Sequence, residues 1–174
     1  MDNPVLRAIA DRRSIRSYKN EKITREQIDI LLRAAEQAPS AENSQLWHFT
    51  AVHNRSILDE INTEVTNNLI QDFGDIFHNA KTAIFLSCEK ASKWARLDCG
   101  IAVQNIALAA HSIGLGSVIV GMPDIAFNGK RGDYFRKLLK FPEGYDFAIA
   151  IAIGVPAGSK EAHTIEPGRT SFIE

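Results

Sequence analysis

The stretch WARLDCGIAVQNIALAAHSIGLGSVIVG, residues 94–121, decides how the rest of the chain is arranged. Trp94, Ala95, Ala102, Val103, Ile106, Ala109 and Ala110 recur at helical spacing and predict a helix over residues 92–112, the longest in the chain. Gly114-Leu115-Gly116 closes it, because glycine accepts the left-handed conformation in which helices commonly end. Residues 117–121, rich in β-branched side chains, then read as a strand. Asp98, Gln104 and Asn105 interrupt the apolar period, and a structural role is expected for them. Gly100 costs about 1 kcal/mol relative to alanine inside a helix, which implies close packing of another helix against it.

Upstream, Asn3 is a good N-cap and Pro4 suits the first helical position, predicting a helix to about Asp11 with Val5, Leu6 and Ile9 inward. Thr24 and Gln27 form a capping box. The helix they open carries Ile28, Leu31, Leu32, Ala35 and Ala38 on one face and stops before Pro39. Residues 47–52 alternate as a strand with Trp47, Phe49 and Ala51 on one face. Ile57, Leu58, Ile61, Val65 and Leu69 mark another amphipathic helix, and residues 82–88 a nearly apolar strand. Residues 133–140 read as a short helix and residues 147–155 as a buried strand alternating large and small side chains. From Pro156 to Glu174 there is no period; a tail this long is either disordered or lies on something. On pattern alone, helices alternating with strands suggest a parallel α/β sheet.

The 174 residues carry 20 Lys+Arg against 21 Asp+Glu, a net charge of −1. Length points to one domain, residues 1–174. The charge balance argues against a dedicated nucleic-acid or membrane-surface binder. The longest apolar run, residues 147–153, falls far short of the roughly 20 residues that span a bilayer. Residues 1–11 show no signal-peptide layout. Cys88 and Cys99 form no CxxC, and the five histidines no ligand pattern, so no metal is expected and a reducing cytoplasm is the simplest location.

Three constellations could carry chemistry. Arg12-Arg13-Ser14-Ile15-Arg16 puts three guanidiniums and a hydroxyl within five residues, a donor set that matches phosphate oxygens. The same run could instead be a solvated charged segment paired with Asp11 or Glu21. Pro39-Ser40-Ala41-x-Asn43-x-Gln45 is a small, polar loop that a flat ligand could approach, or an ordinary turn. Gly121, at a strand end, could let backbone groups face a ring. The glycines around residue 116 lack the dinucleotide fingerprint. No nucleophile–base set, paired carboxylates or phosphate loop emerges, which points to an organic cofactor.

Residues 12–18, then the helix ending in Ala38-Pro39-Ser40-Ala41-x-Asn43-x-Gln45-x-Trp47, then Asp98-x-Gly100-x-Ala102-x-Gln104-Asn105 running into Gly114-Leu115-Gly116-Ser117, resemble the nitroreductase family of flavoproteins over essentially the whole chain and in the same order. The resemblance implies an α+β fold with a central, mainly antiparallel sheet flanked by helices. It also implies a homodimer with FMN in the interface and a C-terminal arm over the partner subunit. Carried over by position, Arg12, Arg13, Ser14 and Arg16 would hold the FMN phosphate and ribityl, with Arg169 closing on the phosphate. Pro39, Ser40, Ala41 and Asn43 would meet the flavin from the other subunit, and Ile119, Val120 and Gly121 would lie beneath the ring. The implied activity is NAD(P)H-dependent, ping-pong reduction of electron-poor acceptors (nitroaromatics, quinones) by hydride transfer through flavin N5, with no catalytic side chain. Flavin destruction, dehalogenation and flavin binding without turnover are the alternatives on this scaffold. Leu46 stands where the family commonly has proline, Gly121 or Met122 where some members have glutamate, and the segment before the long helix lacks the lid helices of longer relatives.

Overall fold

A computed structural model describes residues 3–70 and 73–174. Helix α1 (Pro4–Asp11) starts at Asn3, whose Oδ1 accepts from the N–H groups of Val5 and Leu6. Helix α2 (Arg25–Glu36) opens with both bonds of the Thr24/Gln27 capping box. A single 3-10 turn (Ala41–Asn43) leads into β1 (Trp47–Val52), α3 (Arg55–Asn67) and β2 (Thr82–Glu89). Helix α4 (Ala95–Ser112), β3 (Gly116–Val120), α5 (Asp124–Asn128), α6 (Gly132–Leu138) and β4 (Tyr145–Gly154) complete the order.

The four strands form one sheet in the order β1-β2-β4-β3, and every adjacent pair is antiparallel. This corrects the parallel arrangement that the helix–strand alternation suggests and bears out the antiparallel α+β fold that the family resemblance implies. Alternation in sequence does not reveal pairing direction. Here β4, the last strand, inserts between β2 and β3, so chain order and sheet order differ.

Side-chain alternation sorts the core into two layers. Ile84, Leu86, Ile151 and Ile153 face α2 and α4, packing with Leu31, Ala35, Ala102 and Ile106. Phe85, Phe147, Ala150 and Ala152 face α3, α5 and α6, among Leu58, Ile61, Phe77, Phe127 and Phe135. The large–small alternation of β4 follows from this. Its isoleucines fill the aliphatic layer, while its alanines leave room for rings, including Phe127 stacked on Phe147 at 4.9 Å between centroids.

Several sequence expectations shift. Helix α4 starts three residues later than expected, because Ser92 Oγ accepts the N–H groups of Trp94 and Ala95 and turns the chain first. Helix α5, too short to show a period, escapes the sequence pattern. The expected inward residues of α1 are exposed: Val5 at 61%, with Leu6 and Ile9 at 51% each. Gly100 has nothing within 4 Å of where a Cβ would stand, so no helix of this chain packs against it. Beside it on α4, Leu97 and Ile101 are also exposed. Among the described residues, no helix is long and apolar enough to cross a membrane.

Candidate functional site

The arginine knot crosses the end of the sheet where β3 begins and β4 ends. Ser14 pairs with Ser117 in a parallel bridge, and the Ile15 N–H donates to Ser117 O at 2.9 Å. Tyr18 pairs with Pro156, flanked by Lys19 N–H to Val155 O at 2.8 Å and Ala157 N–H to Ser17 O at 2.9 Å. Two glycines make this crossing possible. A Cβ on Gly116 would stand 2.9 Å from Ile15 Cγ2, and one on Gly154 would stand 2.9 Å from Tyr18 Cδ1. Tyr18 Oη donates to Ile15 O at 2.7 Å, and burial pushes its phenol pKa up against the opposing Arg16 charge.

Two cavities flank the knot. One, of about 340 Å³, is lined by Arg12, Arg13, Ile15, His111 and the start of β3. The other, of about 270 Å³, is lined by Ser14, Ile15, Arg16 and Ser17. Among the described residues, the alternative pairing with Asp11 or Glu21 does not form. Arg13 instead donates to Ala10 O at 2.5 Å and Arg12 O at 2.9 Å, capping α1, and Arg16 reaches Ser14 O at 3.5 Å. The Nε atoms of Arg12 and Arg13 are buried with no hydrogen-bond partner. Buried donors are normally satisfied, so two unmet guanidinium N–H groups beside a cavity are the feature an anion completes. A phosphate monoester fits this donor set.

His78 belongs to the same neighbourhood, and the sequence reading missed it. Burial, and then the Arg16 charge, hold it below the usual histidine range, with Asp75 opposing. Both His78 and Asn79 have positive φ, at 53° and 62°. Non-glycine residues in that region often mark functional turns. Asparagine's tolerance of this conformation was the one signal available in the sequence.

The loop at residues 39–45 is built differently. Glu42, Asn43 and Gln45 all have φ between 50° and 58°. Ser40 Oγ accepts the Gln45 N–H at 3.0 Å, and Asn43 Oδ1 accepts Gln45 Nε2 at 3.0 Å. The Ala41 N–H donates to both oxygens of Asp98, in the first turn of α4, at 3.3 Å each. Asp98 is 5% exposed, and Asn105 donates to Ala34 O at 3.1 Å, so both have the expected structural role.

The knot lies past the C-terminus of α4, and the loop is moored at its N-terminus. Eighteen residues of helix span about 27 Å. One chain therefore keeps the knot and the loop apart. Strand β3 runs from the knot towards Gly121, with Ile119 and Gly121 exposed and Val120 buried. Arg169 sits in the exposed tail, away from any strand or helix.

The described chain is thus an α+β protein with an anion cradle at one sheet end and a strained polar loop a helix length away. Comparison with known proteins identifies the class to which this fold belongs. Residues 9–155 match the model of the nitroreductase family, and the chain belongs to that family. A protein of Methanothermobacter thermautotrophicus, provisionally named a NADH dehydrogenase/NAD(P)H nitroreductase, is 37% identical over 158 residues, 88% of this chain and 78% of that protein. The FMN reductase [NAD(P)H] of Bacillus subtilis is 30% identical over 89% of this chain and 67% of its own length. The crystal structure of a nitroreductase with bound FMN from Desulfitobacterium hafniense superposes with a TM-score of 0.93 at 32% identity, covering both chains completely.

Proposed function

We propose that this chain is an FMN-dependent NAD(P)H oxidoreductase acting on electron-poor acceptors, nitroaromatics and quinones among them. It would work as a homodimer with residues 1–174 forming one flavin-binding domain per subunit. The observation that carries the reading is the pair of unmet, buried arginine Nε groups at the cavity beside β3. Relatives named NAD(P)H nitroreductase and FMN reductase, and a structural neighbour with bound FMN, support the choice of cofactor and reductant.

In this reading Arg12, Arg13, Ser14 and Arg16 hold the phosphate and ribityl. Ile119, Val120 and Gly121 line the ring's floor at the far end of β3. Pro39, Ser40, Ala41 and Asn43 come from the other subunit, since α4 keeps them a helix length from their own knot. Arg169 closes on the phosphate from the tail. When bound, FMN supplies the redox chemistry, accepting reducing equivalents from the nicotinamide and delivering them to the acceptor. The protein's share is to orient the partners and exclude water.

Exposed apolar side chains support the dimer. Val5, Leu6 and Ile9 of α1 are exposed, as are Leu97 and Ile101 of α4 on either side of the open Gly100. Ile165, Phe172 and Ile173 in the tail are almost fully exposed, as an arm reaching over a second subunit would be. A surface of this kind marks an interaction site. The two free cysteines suit a reducing compartment.

The test is an anaerobic titration of the purified protein, with its mass measured by sedimentation. The expected result is a yellow dimer whose flavin absorbance bleaches with NADH or NADPH and returns on adding a nitroaromatic or quinone. A colourless protein that takes up no FMN, or bound FMN that neither nicotinamide reduces, overturns the reading.

A further inference from the structure

The tail does more at its start than at its end. Two backbone hydrogen bonds pin residues 155–157 against residues 17–19, with Tyr18 and Pro156 directly opposed in antiparallel sense. Continuing that register places Gly158 across from Arg16 and Lys160 across from Ser14. The cavities bear this out. Gly158, Ser159 and Lys160 line both of them, the one holding Arg12 and Arg13 and the one holding Ser14 and Arg16. Lys160 forms no ion pair with any described residue. Asp11 is the only carboxylate among the described residues lining either cavity. Between them the two cavities gather Lys160 and three arginines against this single carboxylate, a surplus of positive charge that a multivalent anion offsets.

We infer that Lys160 is a phosphate-binding residue of its own chain's site, a mobile cation laid over the knot by the strand-like pairing of residues 155–157. The inference rests on the FMN reading and adds to it. Arg169, nine residues further on, is not held by this pairing, whereas Lys160 is tethered four residues past Pro156 and stays with its own knot. A lysine suits this position because a flexible stem carrying a point charge can follow the phosphate without the fixed fork that an arginine needs. Ser159 and the Gly158 backbone border the same space and leave Lys160 as its single tail-derived charge.

Riboflavin, which is FMN without the phosphate, separates this role from a structural one. Fluorescence titration of the full-length apoprotein with each flavin measures both affinities. The Lys160→Ala variant should bind FMN roughly threefold to fivefold more weakly, as expected for a partly screened charge, with riboflavin affinity unchanged. Its FMN affinity should also fall less steeply with salt. Lys160→Arg should retain most of the FMN affinity. Equal weakening of both flavins, or weakening of neither, overturns the assignment while leaving the cofactor reading intact. A wild-type protein that binds FMN no better than riboflavin overturns the phosphate site itself, and Lys160 with it.

Discussion

The two ends of helix α4 hold two candidate binding elements by opposite means. At the C-terminal end the knot is fixed by backbone: two bridges to β3 and the tail, and two glycines that let Ile15 and Tyr18 lie on the strand ends. Its side chains are left with donors to spare. At the N-terminal end the loop at residues 39–45 is fixed by a side chain, with the buried Asp98 carboxylate gripping the Ala41 N–H and three residues held at positive φ. The knot needs rigid geometry with unsatisfied charge, which suits an anion. The loop needs a particular backbone shape, which suits the edge of a flat heterocycle. The length of α4 keeps the two apart within one chain, and in the proposed dimer the complete site draws on both chains.

The largest effect should come from stripping the knot of its charge. Arg12→Ala should weaken FMN binding by roughly tenfold to a hundredfold, the worth of a charge-assisted hydrogen bond, with riboflavin little affected. Flavin titration reads it, and unchanged FMN affinity would break the assignment of this end as the phosphate site.

A moderate effect is expected at the other end. Asp98→Ala leaves the Ala41 N–H without its acceptor and should cost about 1–3 kcal/mol of stability, seen by urea unfolding. In the proposed dimer the loop meets the ring of the partner's flavin, so FMN and riboflavin should be lost in similar proportion, unlike Arg12→Ala. A loss confined to FMN would erase the contrast between the two ends.

The smallest effect is a titration. Burial and then Arg16 depress His78, so neutralising Arg16 should raise the His78 pKa towards the usual histidine value. Loading FMN should shift it the same way, because the phosphate offsets the guanidinium. Depression of a folded-state histidine pKa costs stability as pH falls below the unfolded value, so Arg16→Ala should also flatten the loss of stability below about pH 6.5. Histidine NMR on wild type and Arg16→Ala checks both. A fall in the His78 pKa on either change would show that the two residues do not share one field.

The local features of this chain were legible in its sequence because they depend on near neighbours. The Asn3 cap, the Thr24/Gln27 box, the stop at Pro39 and the glycine close after α4 are each written in a few adjacent residues and appear as expected. So was the knot as a candidate, since charge density needs no fold to be seen. Strand direction was legible only through the family resemblance, not from the pattern of elements, and the exposed apolar face of α1, the mooring of the loop by Asp98, and the approach of His78 and Lys160 to the arginines were not legible at all. These depend on which distant segments meet. Only the insertion of β4 between β2 and β3 brings residue 156 back beside residue 18, and only a folded sheet end turns a run of arginines into a cradle whose donors lack partners.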